Sequence, residues 1–285
     1  MLRIVSDGSI DMPADWEEQF KIHILPLKIQ LGDQLYLQGR DVTARNFYNL
    51  VREKMQPPKT SLPSPAEMIH FYRQLAGKDD QVLSIHVGSR LSGTFAVAQQ
   101  AAKELAGELA VVPFDSGAGS AAIGFMCREA RMLAQRGWSL DSIVDRLAAV
   151  RNKLTVVFTV ENLEFVRLSG RIGTIQSAVA SILKINPIIQ LRDGLLYMTQ
   201  RVRTRHTAID KICEEVRERV GSSKVHLAIV HAACPDTAQI LVEKIRKLIP
   251  LHGDIVITEL SIPVAAHLGP GTVGIVAYPI LEGGM

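Results

Sequence analysis

Aromatic residues make up only 5% of this chain. With so few rings and no Lys/Arg-rich run, it has no base-stacking platform for nucleic acid. The formal charge of +3, from 32 basic and 29 acidic residues, is too small to draw a polyanion. Its 3 cysteines, Cys127, Cys213 and Cys234, are odd in number and widely spaced. They match no zinc spacing and no disulfide framework. No apolar run is long enough to cross a bilayer. The stretch from Met1 to Asp7 lacks the apolar core of a secretory leader. We therefore expect a cytoplasmic, reduced protein with at most transient membrane contact. The phosphate-loop pattern G-x-x-x-x-G-K-[ST] is absent, and no G-x-G-x-x-G stands between an apolar strand and a helix as the dinucleotide fingerprint requires. No G-x-S-x-G elbow exposes a strained serine. No His/Asp/Glu cluster has metal-ligand spacing, so no metal or cofactor is expected.

What is there is an ordinary folding composition: 285 residues, 47% of them hydrophobic. That length suggests two domains. Apolar runs at Leu2–Val5, His23–Leu31, Val82–Val87 and Leu109–Phe114 read as strands, the second interrupted by Pro26. Helical stretches read at about Thr43–Lys54, Ser64 or Pro65 to Leu75, Phe95–Leu105, Gly119–Gln135 and Ser139–Val150. Strands alternating with helices imply a mostly parallel sheet covered on both faces. The polar stretch Arg151-Asn152-Lys153 suggests a boundary, giving an N-terminal α/β domain over 1–152 and a C-terminal one over 153–285. In the second, Leu154–Thr159 reads as a strand, Glu161–Val166 as a helix and Ser177–Leu183 as a short apolar helix. Asn186–Leu191 and Leu195–Thr199 read as a hairpin about Arg192-Asp193-Gly194. Arg201, Arg203 and Arg205 share one face if that strand continues. Helices follow at Ala208–Val220 and Asp236–Leu248. Val225–His231 reads as a strand, and Ile255–Leu260 as the last central one.

The chemistry-bearing residues collect at a few turns. Ser89-Arg90-Leu91-Ser92-Gly93-Thr94 lies where a strand hands over to a helix. Unused backbone N–H groups and the helix dipole favour an anion there, and Gly93 lets a ligand come close. Hydroxyls at such a place also serve as plain helix caps. Ser6-Asp7-Gly8-Ser9 and Asp115-Ser116-Gly117 end two other strands, where ligands gather in open α/β sheets. Thr60 and Ser61 sit in a proline-rich stretch, Pro57 to Pro65, stiff enough to read as a rigid loop. Arg171 lies in a glycine-punctuated turn, and His267 precedes Gly269-Pro270-Gly271. Hydroxyls, amides, Arg171 and His267 together suit a carboxylate or a phosphate. Beyond "an anion-binding two-domain α/β protein" the residues alone do not go.

Taken in order, several short motifs resemble the DegV family of bacterial fatty-acid-binding proteins. They are Ser6-Asp7-Gly8-Ser9, Lys59-Thr60-Ser61, Leu91-Ser92-Gly93-Thr94, Phe114-Asp115-Ser116, Ser169-Gly170-Arg171-Ile172, Lys184-Ile185-Asn186-Pro187-Ile188 and His267-Leu268-Gly269-Pro270-Gly271. The resemblance implies two α/β domains with a lipid-binding cavity at or near their interface. It implies a carrier of one long-chain fatty acid, such as palmitate, stearate or oleate, with no catalysis of its own. Its partner would be an ATP-binding fatty acid kinase subunit that phosphorylates the bound carboxylate, giving acyl phosphate for phospholipid synthesis. By the same resemblance Thr60 or Ser61, Ser92 with Gly93, and His267 hold the carboxylate. Arg171 and Arg203 serve that network or the docking face. The chain departs from the family pattern at Gly8, Arg90 and Ser169. A different reading is an esterase or phosphatase with Ser92 as nucleophile and His267 as base. A scaffold or transcriptional role is weaker still, because no basic face is legible.

Overall fold

A computed structural model describes residues 1–54, 56–170 and 185–281. Along the chain the elements begin β1 (Leu2–Asp7), α1 (Ala14–Gln19), β2 (Ile22–Leu25), β3 (Lys28–Leu31), β4 (Gln34–Leu37), α2 (Ala44–Lys54), β5 (Lys59–Ser61) and α3 (Pro65–Leu75). They continue with β6 (Gln81–His86), α4 (Thr94–Glu104), β7 (Ala110–Asp115), α5 (Ala121–Gln135) and α6 (Leu140–Lys153). Then come β8 (Thr155–Thr159), α7 (Leu163–Ser169), β9 (Asn186–Arg192), β10 (Leu195–Val202), α8 (Arg205–Val220) and β11 (Val225–His231). The chain closes with α9 (Pro235–Ile245), β12 (Val256–Glu259), α10 (Ile262–Leu268) and β13 (Val273–Pro279). The contacts divide it into two compact units. One holds Met1–Arg151 with Ser261–Pro263, and the other Asn152–Leu260 with the chain from Val264 on.

The first unit is built on a four-stranded, all-parallel sheet in the order β2-β1-β6-β7. Val5, Leu25 and Val82 bury one face under Met68 and Tyr72 of α3 and Ala98 and Ala101 of α4. Helix α5 packs against β1 and β6. Small residues let it lie close: a side chain at Gly124 would strike the Asp11 carbonyl. Pro26 does more than interrupt a strand. It separates β2, in the parallel sheet, from β3, the centre of a second, antiparallel sheet in the order β4-β3-β5.

Two expectations fail here for one reason. The stretch after Leu31, for which no element was expected, contains β4, and the proline-rich rigid loop contains β5. Both strands are short, and their pairing with β3 is tertiary, so local composition does not announce it. The helix after the prolines begins as its sequence demands. Ser64 and Glu67 form a reciprocal capping box, with Pro65 at the first helical position.

The second unit has a six-stranded mixed sheet in the order β10-β9-β8-β13-β11-β12. Its β9–β10 hairpin turns at Asp193 and Gly194, both with positive φ (48° and 72°), as an Asp-Gly turn requires. Helices α8 and α9 bury their apolar stripes against Val157, Ile229, Val273 and Ile275.

Two expectations need correction. The strand at 256–259 is the sheet's edge, with Ile257 43% exposed, not a central strand. The central place belongs to β13, which runs antiparallel to both neighbours. Its glycine-rich approach hid it, yet Gly274 is where the sheet needs no side chain, because Phe158 fills that space. The alternating arginines do not share a face. The strand ends at Val202, Arg203 lies in the bend after it, and Arg205 opens α8 behind a Thr204 cap. Residues 171–184, with Arg171 and the helix expected at 177–183, lie outside the described residues.

Candidate functional site

The turn at Ser89–Thr94 stands at the carboxyl end of β6, beside the ends of β1 and β7. Most of its amides are already engaged. Val87 N–H donates to Asp7 Oδ2 (3.1 Å), Gly88 N–H to the Ala118 carbonyl (2.7 Å) and Ser89 N–H to Asp115 Oδ1 (3.1 Å). Leu91 and Ser92 N–H turn back onto the Gly88 carbonyl. A side chain at Gly88 would lie 2.8 Å from the Gly117 backbone, so only glycine lets these two loops meet. What the turn still offers are the N–H groups at the start of α4. Those of Gly93, Phe95 and Ala96 have no protein acceptor among the described residues. Helix α4 starts at Gly93 without a side-chain cap. Ser92 Oγ lies 3.0 Å from Thr94 Oγ1 and accepts from Thr94 N–H at 3.3 Å. The half-buried Ser92 hydroxyl therefore sits at the positive end of an 11-residue helix.

Strand β5 reaches the same place. Leu62, next after it, packs on Gly93: a Cβ there would lie 2.8 Å from Leu62 Cδ1. The end of the Thr60-Ser61 strand thus lies next to the Ser92 turn. In an extended strand their side chains leave on opposite faces. Ser61 pairs with Lys28 and lines an apolar groove of about 230 Å³ with Leu27, Glu67 and Phe71. Thr60 pairs with Ile29, on the other face.

A buried network beneath the turn was missed in the sequence. Tyr72 Oη donates to Ser84 Oγ at 2.9 Å. Ser84 Oγ lies 2.8 Å from His86 Nε2, and His86 Nδ1 lies 3.0 Å from Asp7 Oδ2. Ser9 N–H donates to Asp7 Oδ1 at 2.9 Å. Ser84, His86 and Asp7 are all 0% exposed. Burial pushes the Asp7 carboxyl up, but the hydrogen bond and charge of His86, with the two amides, hold it below the usual carboxylate value. The Asp7 carboxylate accepts from His86 Nδ1, and the Ser84 hydroxyl lies on the other ring nitrogen. This is a Ser–His–Asp geometry with no access to a substrate, and it does not involve Ser92. Its role is to hold the ends of β1 and β6. The only sequence signal was alternation: Ser84 and His86 are polar at i and i+2 of an otherwise apolar strand.

In the second unit His267 lies in the last turn of α10, half-buried. Gly269 and Gly271 follow with φ of +81° and +73°. Arg203 is exposed, and its carbonyl accepts a long bond from Asn186 Nδ2 (3.4 Å). Among the described residues no group of His, Cys, Asp and Glu has the geometry to hold a metal ion. No described helix is long and apolar enough to cross a membrane.

These features define a class: a two-unit α/β protein with a parallel sheet whose carboxyl edge presents hydroxyls at a helix start. A family model described as "Uncharacterised protein, DegV family" matches residues 1–280. The chain belongs to the DegV family. It is 32% identical over 274 residues to a DegV domain-containing protein of Streptomyces coelicolor, covering 96% of each. Its fold matches that of a DegV family protein from Thermus thermophilus, whose structure is described as showing fatty acid binding. The TM-score is 0.90 and the identity 30%, over 98% of this chain and 99% of that one. It also matches DegV of Bacillus subtilis, described as a fatty acid binding protein, with a TM-score of 0.86 and 28% identity over 98% and 99% of the two chains.

Proposed function

We propose that this chain binds one long-chain fatty acid and holds its carboxylate on the hydroxyls of Thr60 and Ser92 and the N–H of Gly93. The observation that carries this is the packing of Leu62 on Gly93, which brings the Thr60-Ser61 strand to the uncapped start of α4. Relatives of 28–30% identity whose structures are described as fatty-acid-binding supply the ligand class. Strand alternation favours Thr60 over Ser61 as the partner of Ser92. His267 joins the carboxylate network on the strength of its motif. Arg203 and Arg171 serve that network or a docking face for an ATP-dependent kinase subunit that makes the acyl phosphate. The chain acts in the cytoplasm as a carrier without chemistry of its own, touching membranes transiently.

Burying about 14 methylenes at roughly 0.8 kcal/mol each gives about 11 kcal/mol before ordering costs, so the tail supplies the affinity. The hydroxyls set direction and present one carboxylate oxygen. Ser92→Ala should therefore lower the preference for palmitate over methyl palmitate by about tenfold while leaving ester binding nearly intact. The check is competition binding, alongside native mass spectrometry of the protein purified from cells. One co-purified fatty acid per chain supports the carrier. A chain that neither carries nor takes up palmitate or oleate, or that turns over an activated ester in a Ser92-dependent way, refutes it.

A further inference from the structure

We infer that Arg205 is a positioning residue for His267, acting through the Gly269-Pro270-Gly271 turn. The inference rests on the assignment of His267 to the carboxylate network. The turn is gripped from four sides within the second unit. The Arg205 guanidinium donates to the Gly271 carbonyl. Gly271 N–H donates to the Ala232 carbonyl, and Ala232 N–H to that of Thr272, both at 2.8 Å. The Thr272 hydroxyl, 1% exposed, lies 3.1 Å from the Leu268 carbonyl and 2.8 Å from that of Gly269. It thus closes the end of the helix that carries His267. Phe165 fills the space where a Gly269 side chain would be, 2.6 Å from its Cβ position, and the Glu161 side chain does the same at Gly271.

Of these grips, Arg205 is the costly one. Burial pulls its guanidinium below the ordinary value, opposed by Cys234 and Glu161. A second guanidinium nitrogen, Nη1, is buried and makes no hydrogen bond among the described residues. This half-buried cation is held by the Gly271 carbonyl and the Cys234 side chain, with Glu161 nearby, and placing a charge there carries a desolvation cost. It is also the first residue of α8, two positions after Arg203. The Thr204 cap, whose Oγ1 accepts from Thr207 N–H at 3.1 Å, fixes the backbone between them. Arg203 and the His267 turn are therefore joined by one short, well-anchored path: the bend after β10, the Thr204 cap, Arg205 and the Gly271 carbonyl.

The test uses the full chain with 13C-labelled histidine, the His267 imidazole signal being assigned through His267→Gln. Arg205→Met should shift or broaden that signal. The signals of His226 and His252, which pack on each other at the opposite end of β11, should stay put. Arg205→Lys, which still reaches a carbonyl with one donor, should restore the signal in large part. The preference for palmitate over methyl palmitate should fall on the order of fivefold in Arg205→Met. It should fall no further when that change is added to His267→Gln. Should the Met variant fail to fold by circular dichroism, Arg205→Gln is its replacement, because it keeps a neutral donor of shorter reach. An unmoved His267 signal in a folded Arg205→Met or Arg205→Gln protein overturns the inference. A moved signal together with a His267→Gln protein of unaltered acid preference leaves the positioning standing and removes His267 from the carboxylate site.

Discussion

Asp11 offers the sharpest energetic prediction. It follows β1, is 3% exposed, and accepts from the Ser261 backbone at 2.6 Å and from the Ser120 hydroxyl. Burial drives its carboxyl up from 3.8 to about 6, against the lowering effect of the Ser120 and Ser261 hydrogen bonds. A rise of that size corresponds to about 3 kcal/mol. For an acid whose folded pKa is raised, the native state binds more protons than the unfolded chain between the two values. Stability then falls as pH climbs from about 4 to about 6, and the loss is complete above that window. Asp11→Asn keeps the shape and an acceptor for Ser261 but has no charge to bury. Compared with wild type, the variant's advantage should grow by up to about 3 kcal/mol between about pH 4 and about pH 6 and stay level from there to pH 7.5. Both tryptophans of the chain, Trp16 and Trp138, lie in the first unit, and Trp16 packs on Phe20 and Phe125. Urea unfolding followed by tryptophan fluorescence thus reads the right part of the molecule. A difference between the two proteins that is flat across pH, or that grows toward acid, would refute the reasoning.

Two further outcomes are expected. Asp115→Ala releases the N–H groups of Ser89 and Gly117, which it binds at 3.1 and 2.8 Å, and should cost about 1–3 kcal/mol. Thermal denaturation measures that cost, and a palmitate titration should weaken with it; full affinity would mean that the Ser92 turn keeps its shape unaided. Gly269→Ala should cost more than Gly107→Ala. Both positions have positive φ (+81° and +86°), but only Gly269 faces a neighbour, Phe165, whereas nothing lies within 4 Å of Gly107. Each bears roughly 1–2 kcal/mol for the left-handed backbone. The excess at Gly269, read by chemical denaturation, isolates the clash, and equal losses would show that Phe165 simply moves aside.

Much of this molecule could be read from its sequence where the signal was local. The parallel strands announced themselves as apolar runs, the helix at 65–75 by Ser64 and Pro65 at its start, and the hairpin by Asp193-Gly194. The Thr60 and Ser92 stretches were picked out by hydroxyl-bearing turns in an order the family shares. What escaped depended on partners far along the chain. Strand β5 exists because β3 accepts it, and β13 is central because Phe158 leaves room only for Gly274. The array of Tyr72, Ser84, His86 and Asp7 joins a helix and two strands separated by up to 79 residues, so no window of sequence contains it. Even the anion-friendly turn was read in part. Its spare amides lie at the helix start, because Asp7, Ala118 and Asp115 have taken the earlier ones.

The strand order β2-β1-β6-β7 has a further consequence. After β1 the chain leaves for one side of the sheet, and β6 begins the other side. In sheets of this kind the gap between those two strands is the doorway through which cofactors enter. Here the doorway is bolted from inside: Asp7 crosses from β1 to Val87 and His86, and Ser84 and Tyr72 stand behind it. What that edge of the sheet leaves open lies one threshold along, at the porch where β6 gives way to α4, whose first amides have no protein acceptor among the described residues.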